Sequence, residues 1–398
     1  MSFYDCVVVG AGPAGLAYAS SLKEQKSVLI VDSGKPIGER SQNNAEECVN
    51  GAGGAGLFSD GKFSFYPSGT KIWEQTETDL KIAYMMLERD LAPFKSIPSF
   101  PTFDKTNKLK KDIGNWVLKP YPSIYLSFEE RIGLINNLVK RCLNIRYQTE
   151  FLLYSKVDGG YRVEIKNLKS GISETLLSKK VVCAGGRFMP RFLDCPKQFR
   201  RYEFGFRVET PAVIAKKKDK LIDPKYILDF RDQGVECRTF CWCENGEVVS
   251  TRFKDIQTYS GRADCNPTGK NNFGFNFRIK DSTLIADSVF KQVMHSKFYK
   301  EKIKDISKIL DKFPDSLKKI IECGIAQLIQ RFPELNSDEV YVLGPTIEGV
   351  GEYPAIDSEF RLKGHSDIHV IGDCSGNYRG IVASMLSGYI LASRHNVK

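Results

Sequence analysis

The chain has 398 residues, 42% of them hydrophobic and 27% charged, with a formal net charge of +10. That length allows two or three domains of ~150 residues, and the composition excludes a disordered, fibrous or disulfide-stapled chain. No run approaches the ~20 apolar residues of a membrane span, and 11 cysteines without framework spacing suit a reducing compartment.

Tyr4–Val9 is a short apolar run rich in β-branched residues and predicts a buried strand. No basic leader or apolar signal segment precedes it, so no secretion signal is expected and a cytoplasmic location is. Gly10, Gly12 and Gly15 follow as G-x-G-x-x-G. Gly10 permits a tight turn, Gly12 lets a pyrophosphate approach the backbone, and Gly15 lets the next helix pack close to the strand. Pro13 suits the first helical turn, and Ala14, Leu16, Ala17, Ala19 and Leu22 carry the helix on. Ser27–Val31 predicts a second strand, ended by Asp32, which can accept hydrogen bonds from a ribose; Ser33 stands beside it. The motif alone is weak. The strand before it, the helix after it and the acid at the expected distance make it a dinucleotide-binding βαβ unit.

A polar loop, Ser33–Asn50, leads into Gly51-Ala-Gly-Gly-Ala-Gly56. No strand precedes this second glycine run, so it is not a second nucleotide fold. Gly54, Ala55 and Gly56 are small enough to lie against a planar ligand with their N–H groups turned to it. An ordinary glycine-rich surface loop is the plainer alternative.

Residues 74–92 predict a helix with Leu80, Tyr84, Leu87 and Leu91 on one face, and the proline-rich stretch 93–123 reads as irregular. Ser127–Cys142 predicts a helix that Ser127 and Glu130 open as a capping box. Ile145–Tyr147 is a short strand. Phe151–Val157, Tyr161–Asn167 and Ile172–Leu177 read as a meander, and Lys180–Gly186 as a separate buried strand ending in Ala184, Gly185 and Gly186.

From about 195 to 335 the pattern changes. Phe204–Glu209, Ile227–Phe230, Arg238–Cys243, Val248–Phe253 and Phe273–Ile279 read as an antiparallel sheet, with Asn245-Gly246 as a hairpin turn. Residues 283–300 and 303–331 read as helices, the second broken near Pro314. This block has no phosphate loop and is assigned to the substrate. Lysines cluster at Lys216–Lys218 and through 291–320; a solvated surface explains them more simply than an anionic partner. The chain returns with Asp367–Asp373 as a last strand, a loop, and a closing helix from Arg379. The division expected is 1–194 and 336–398 as one discontinuous domain, with 195–335 inserted.

The N-terminal βαβ, the Val181–Gly186 strand and Val370–Asp373 with its helix together resemble the FAD-binding domain shared by glutathione-reductase-like and hydroxylase-like flavoproteins. Gly53–Lys62, Phe204–Glu209, Arg238–Cys243 and Gly372–Ile381 are similar to the group called FAD-dependent dehydrogenases. Residues 260–277 depart from that group. The resemblance implies an α/β fold: a Rossmann-like FAD-binding domain of parallel sheet plus β-meander, with an inserted α+β domain on an antiparallel sheet. It implies that Asp373 meets the ribityl chain, and that Phe151 meets adenine through its backbone. Ala184–Gly186 would run near the AMP half, and Gly372, Arg379, Gly380 and Ile381 near the flavin. It implies FAD, taken as non-covalent since no attachment motif stands out; the absence of a second nucleotide fold favours direct reduction by the organic substrate, with NAD(P)H as a transient donor the alternative.

Four residues are catalytic candidates. Lys62 and Asp60 follow the glycine loop, where Lys62 would hold a fixed positive charge near the flavin; an exposed loop lysine is the alternative. Arg207 and Arg238 lie on strands of the inserted block and would clamp a carboxylate; sheet-surface arginines are the alternative. Cys241 and Cys243 share a strand face and read more simply as packed cysteines than as a redox relay or half a metal site. His295, His365, His369 and His395 show no ligand spacing, so no metal is expected.

The reading is an FAD-dependent oxidoreductase moving a hydride between a small, possibly anionic organic substrate and flavin N5. Alternatives are an NAD(P)H-using reductase or monooxygenase, and a non-catalytic redox-sensing flavoprotein. An RNA-modifying flavoenzyme ranks below these: its hints are the net charge of +10 and Cys265-Asn266-Pro267, a match treated as chance. No membrane partner is expected, and the oligomeric state is left open.

Overall fold

The computed structural model describes residues 2–25, 27–103, 111–113, 115–215, 221–230 and 234–397; the Lys216–Lys218 cluster lies outside them. The chain forms two compact units: 1–103, 124–198 and 352–398 make the first, 104–123 and 199–351 the second. Both boundaries of the insertion shift from the expected 194/195 and 335/336. The strand Tyr341–Pro354 pairs with Tyr299–Lys302, so most of it belongs to the second unit.

The first unit is built on a seven-stranded sheet. Phe3–Val9 pairs in parallel with Val28–Val31 on one side and with Ser173–Cys183 on the other. Ser173–Cys183 in turn pairs in parallel with Ile368–Val370. Their central segments, Cys6–Val9, Val28–Val31 and Val181–Cys183, are continuous apolar runs because both of their faces are covered. Val8, Ile30 and Val182 face a helical layer that includes Leu16, Leu386 and Tyr389. Val7, Leu29 and Val181 face Tyr161, Val163, Leu176 and Met189.

The meander forms as expected from Thr149–Val157, Gly160–Asn167 and the next strand. The two strands read at Ile172–Leu177 and Lys180–Gly186 are one, Ser173–Cys183. Its first half pairs antiparallel with Gly160–Asn167 and its second half parallel with Phe3–Val9. The polar Ser178-Lys179-Lys180 suggests a break, but Ser178 Oγ donates to the Lys180 carbonyl at 2.6 Å and the strand runs through.

The helices Pro13–Ala19, Glu77–Leu91, Phe128–Lys140 and Ile381–Val397 belong to this unit. The capping box is present: Glu130 N–H donates to Ser127 Oγ at 3.2 Å, and Ser127 N–H to Glu130 Oε2 at 2.7 Å. The last strand stops at Val370, Asp373 lies in a tight turn at Gly372–Ser375, and the closing helix begins at Ile381 rather than Arg379.

His369 sits inside this sheet, with its ring centroid 4.8 Å from that of His395. Burial, reinforced by Lys180, pushes its pKa from 6.5 down to about 4. The unfolded chain therefore takes up this proton below pH 6.5 while the folded chain resists until about pH 4. Stability falls as pH drops through that window and levels below it, by about 3 kcal/mol in all at 1.36 kcal/mol per pKa unit. Urea midpoints of wild type and His369→Leu at pH 7, 5.5 and 4 check this: the variant is expected to show the shallower decline.

The second unit carries an eight-stranded sheet. Its order is Tyr299–Lys302, Tyr341–Pro354, Lys197–Pro211, Lys270–Ile279, Val235–Cys243, Lys225–Phe230, Trp116–Lys119 and Lys111–Ile113. Three expectations fail here. Two strands lie in the stretch read as irregular: Lys111–Ile113 pairs with Trp116–Lys119, which in turn pairs with Lys225–Phe230 about a hundred residues later. Asn245-Gly246 joins no hairpin: Glu247–Phe253 pairs with Ile256–Arg262 in a separate two-stranded sheet. The helices are Asp287–Met294, Ile306–Leu310 and Asp315–Arg331, with Tyr299–Lys302 as a strand between the first two. The apolar face is aromatic, with Phe204 against Phe277, Phe290 and Phe313. Gly324 of the last helix lies so close to Phe277 that an added Cβ would stand 2.4 Å from its ring. Among the described residues no helix is long and apolar enough to cross a membrane.

Candidate functional site

The first unit brings most of the predicted dinucleotide residues together. Gly10 turns at φ +106°, and a Cβ there would stand 2.6 Å from the Ala184 carbonyl oxygen. A Cβ on Gly15 would stand 2.0 Å from the Gly10 oxygen, so the helix start rests directly on the strand end. Gly12 differs: a Cβ there would meet Gly54 Cα only at 3.9 Å. The second glycine run is what faces it. Gly53 N–H donates to the Ala11 carbonyl at 2.8 Å, and a Cβ on Gly54 would lie 3.1 Å from Gly12 Cα. A Cβ on Gly56 would lie 3.2 Å from Pro13 Cγ and 3.3 Å from Ile381 Cγ1. One on Gly372 would lie 2.8 Å from Ala14 Cβ. Two side-chain-free backbones and the start of the closing helix thus meet around the first turn.

Asp32 is buried and holds this loop. Its Oδ2 accepts from Ala11 N–H at 2.7 Å and its Oδ1 from Gly34 N–H at 2.8 Å, around Ser33. A carboxylate oxygen has a second lone pair, so acceptance from a ribose hydroxyl is still open to it. Phe151 lies on the strand that starts beside Asp32, where Thr149 N–H donates to the Asp32 carbonyl at 2.9 Å, and a bulge follows it before Leu153. Ala184 N–H donates to Val9 O at 2.8 Å; Gly185 packs on Met189, and Gly186 at φ +77° has open space beside it.

Asp373 stands on the turn after the last strand. Arg187 Nε donates to its Oδ2 at 3.4 Å. Its Oδ1 is buried with no hydrogen-bond partner among the described residues. Buried carboxylate oxygens are ordinarily satisfied, and this one is not the only exception among the described residues. Gly380, at φ +94°, also has open space beside it, between Arg379 and the helix start at Ile381.

Two buried arginines that sequence reasoning missed build the second glycine run. Arg40 donates to the carbonyls of Glu47, Ala52 and Gly54 and stacks over Phe58 at 4.8 Å. Burial pulls its pKa down to about 10, so it stays charged at neutral pH. Arg131 donates to Leu57 O at 2.8 Å and Leu126 O at 2.7 Å. Neither stands in a pattern that periodicity or motif spacing detects.

Of the catalytic candidates, Lys62 and Asp60 form an ion pair at 3.1 Å, with side chains only 7% and 15% exposed. The exposed-lysine alternative is therefore excluded. In the second unit Arg207 is 1% exposed, donating through Nε to Asn272 Oδ1 at 3.1 Å and through Nη2 to Cys241 O at 2.8 Å. Arg238 is 8% exposed and paired with Glu236 two residues back on its own strand. Arg207 is thus buried and held by protein acceptors, and Arg238 is paired with a carboxylate on its own strand. Neither is a sheet-surface arginine.

Residues 8–68 match a family described as an NAD(P)-binding Rossmann-like domain. No protein of curated function matches the chain. Among solved structures the chain is similar to a myxobacterial FAD-dependent halogenase, CndH, at 13% identity over all of this chain and 73% of that one, with a TM-score of 0.43. It is also similar to a flavoprotein/dehydrogenase from Cytophaga hutchinsonii (12% identity, 99% and 79% covered, TM-score 0.45). A third similarity is to OxyS, an anhydrotetracycline hydroxylase from Streptomyces rimosus (12%, 99% and 62%, TM-score 0.42). With its parallel core and glycine turn, the segment 8–68 has a Rossmann-like fold.

Proposed function

We propose that the chain is an FAD-dependent oxidoreductase that passes a hydride between a small organic substrate and a flavin held non-covalently by the first unit. The observation that carries this reading is Asp373 Oδ1, a buried oxygen without a donor on a turn packed against the first glycine loop. A ribityl hydroxyl is the donor that such an oxygen lacks. The facing backbones of Gly12 and Gly54 supply a cradle for a diphosphate, and Asp32 and the Phe151 strand stand at the ribose and adenine end.

FAD supplies a two-electron acceptor that takes a hydride and returns the electrons to a second acceptor. The chain's own part is placement and charge. Asp373 would hold the sugar-alcohol chain. The start of the closing helix at Arg379, Gly380 and Ile381 would offer its partial positive charge to the flavin. Lys62 adds a fixed cation, kept in one orientation by Asp60.

The test is the visible spectrum of the purified protein under anaerobic conditions, before and after NADH and then NADPH. Flavin absorption is expected, and Asp373→Ala is expected to raise the FAD dissociation constant about 10–100-fold, the ~1.5–3 kcal/mol of a hydrogen bond to a charged group. No flavin peaks, even with FAD added, would overturn the assignment. A second reading, NAD(P)H as the direct reductant, is favoured by the family that matches 8–68. Bleaching by a pyridine nucleotide selects it; flavin left oxidised selects direct reduction by the organic substrate.

A further inference from the structure

Cys241 and Cys243 end the strand Val235–Cys243 in the second unit. In a regular strand, residues two apart share a face at ~6.6 Å between Cα atoms. Here the register against Lys270–Ile279 shifts between Phe240 and Cys243, and Cys241 takes φ +53°, a left-handed conformation that non-glycine residues seldom adopt. The two sulfurs stand 3.9 Å apart. Cys241 is partly exposed and Cys243 is buried, and both are reduced. Behind them lies Arg207, whose Nη2 donates to Cys241 O at 2.8 Å and stands 3.9 Å from Cys243 Sγ. A local bulge, a buried guanidinium and one reachable sulfur beside one sheltered sulfur form an arrangement that two merely packed cysteines do not need.

We propose that Cys241 and Cys243 are a redox-active dithiol that closes reversibly to an intramolecular disulfide by exchange with a low-molecular-weight disulfide. The proposal stands independently of the flavin reading. Cys241, the reachable sulfur, loses its proton and attacks one sulfur of the small disulfide. That S–S bond breaks, one small thiol leaves with a proton, and a mixed disulfide forms on Cys241. Cys243, deprotonated in turn, attacks the Cys241 sulfur, and the second small thiol leaves with the second proton. Two protein thiols are oxidised to one disulfide while one small disulfide is reduced to two thiols. The negative charge on the resolving sulfur develops beside the Arg207 guanidinium, the setting that favours a thiolate. Cys6, Cys142 and Cys183, whose thiols burial pushes up to about 12, serve as unreactive controls within the same chain.

The experiment equilibrates the full chain with a series of ratios of reduced to oxidised glutathione, quenches with an alkylating reagent, and weighs the peptide that carries both residues. The expected result is that this peptide loses two hydrogens in one two-electron step, reversed by dithiothreitol. Cys243→Ser is expected to trap glutathione on Cys241, and Cys241→Ser to leave Cys243 reduced. Both thiols still alkylated at the oxidising end would overturn the proposal. So would separate glutathionylation without ring closure, or protection from alkylation by a bound metal. The wild-type titration decides alone if a variant fails to fold.

Discussion

Gly15→Ala is expected to unfold the first turn of the dinucleotide site. The new Cβ would stand 2.0 Å from the Gly10 oxygen and 3.2 Å from the Gly10 carbonyl carbon. Neither can retreat, because Gly10 N–H is tied to Val31 O at 2.8 Å within the parallel core. The helix must lift off the strand instead, which breaks its packing on the closing helix, where a Cβ on Gly388 would already be 2.4 Å from Ala14 O. Overpacking of this kind costs ~1–3 kcal/mol when side chains can adjust and more when backbone must. A fall in the urea midpoint equivalent to at least ~3 kcal/mol is expected, with loss of bound flavin. Gly12→Ala makes the contrast. Its Cβ meets nothing closer than 3.9 Å, so the midpoint is expected to stay within ~0.5 kcal/mol while flavin affinity drops, if a ligand comes to that backbone. Equal destabilisation by both substitutions would mean that Gly12 serves the fold alone.

Arg40→Ala is expected to have an effect of similar size by another route. The side chain ties three carbonyls from Glu47 to Gly54, a stretch with no helix or strand before Gly54. Removing it leaves buried acceptors without donors, at ~1–3 kcal/mol each and less than additively, so ~3–5 kcal/mol in total. Arg40→Lys keeps the charge but reaches fewer acceptors than the planar guanidinium, and should recover less than half of the loss. Limited proteolysis between residues 41 and 56, read beside the urea midpoint, checks the location as well as the size. Wild-type-like resistance to proteolysis there in the alanine variant would refute the assigned role.

The parts legible from the amino-acid order were those where one residue type admits one geometry. Gly10, Gly12 and Gly15 could be placed because each site forbids or must avoid a side chain, and Ser127 with Glu130 because a capping box is local. What was hidden depends on partners remote in the chain. Trp116–Lys119 is short and set in a proline-rich stretch, and its place in a sheet depends on Lys225–Phe230, about a hundred residues later. Ser173–Cys183 looked like two strands because its polar middle lies where the ladder passes from an antiparallel to a parallel neighbour. Asn245-Gly246 has good turn chemistry, yet the strands that it joins go to different sheets. At the site, the glycines and acids were visible, while Arg40 and Arg131 act through backbone carbonyls that carry no sequence signature. Arg207 and Arg238 were visible as residues but their burial and partners were not, because these are not properties of spacing.

The discontinuity of the first unit also bears on how the chain is made. Leu386, Tyr389 and Ile390 belong to the core that buries Val8 and Leu16, so that core stays open until the last helix has left the ribosome. Residues 199–351 are complete long before. At ~5–20 residues per second the final 47 residues take roughly 2–9 s, which is time enough for the inserted unit to fold first. During that interval Tyr4–Val9 and Val28–Val31 lack the cover of the closing helix, and a chaperone that reads apolar strands would find its binding sites in those two segments.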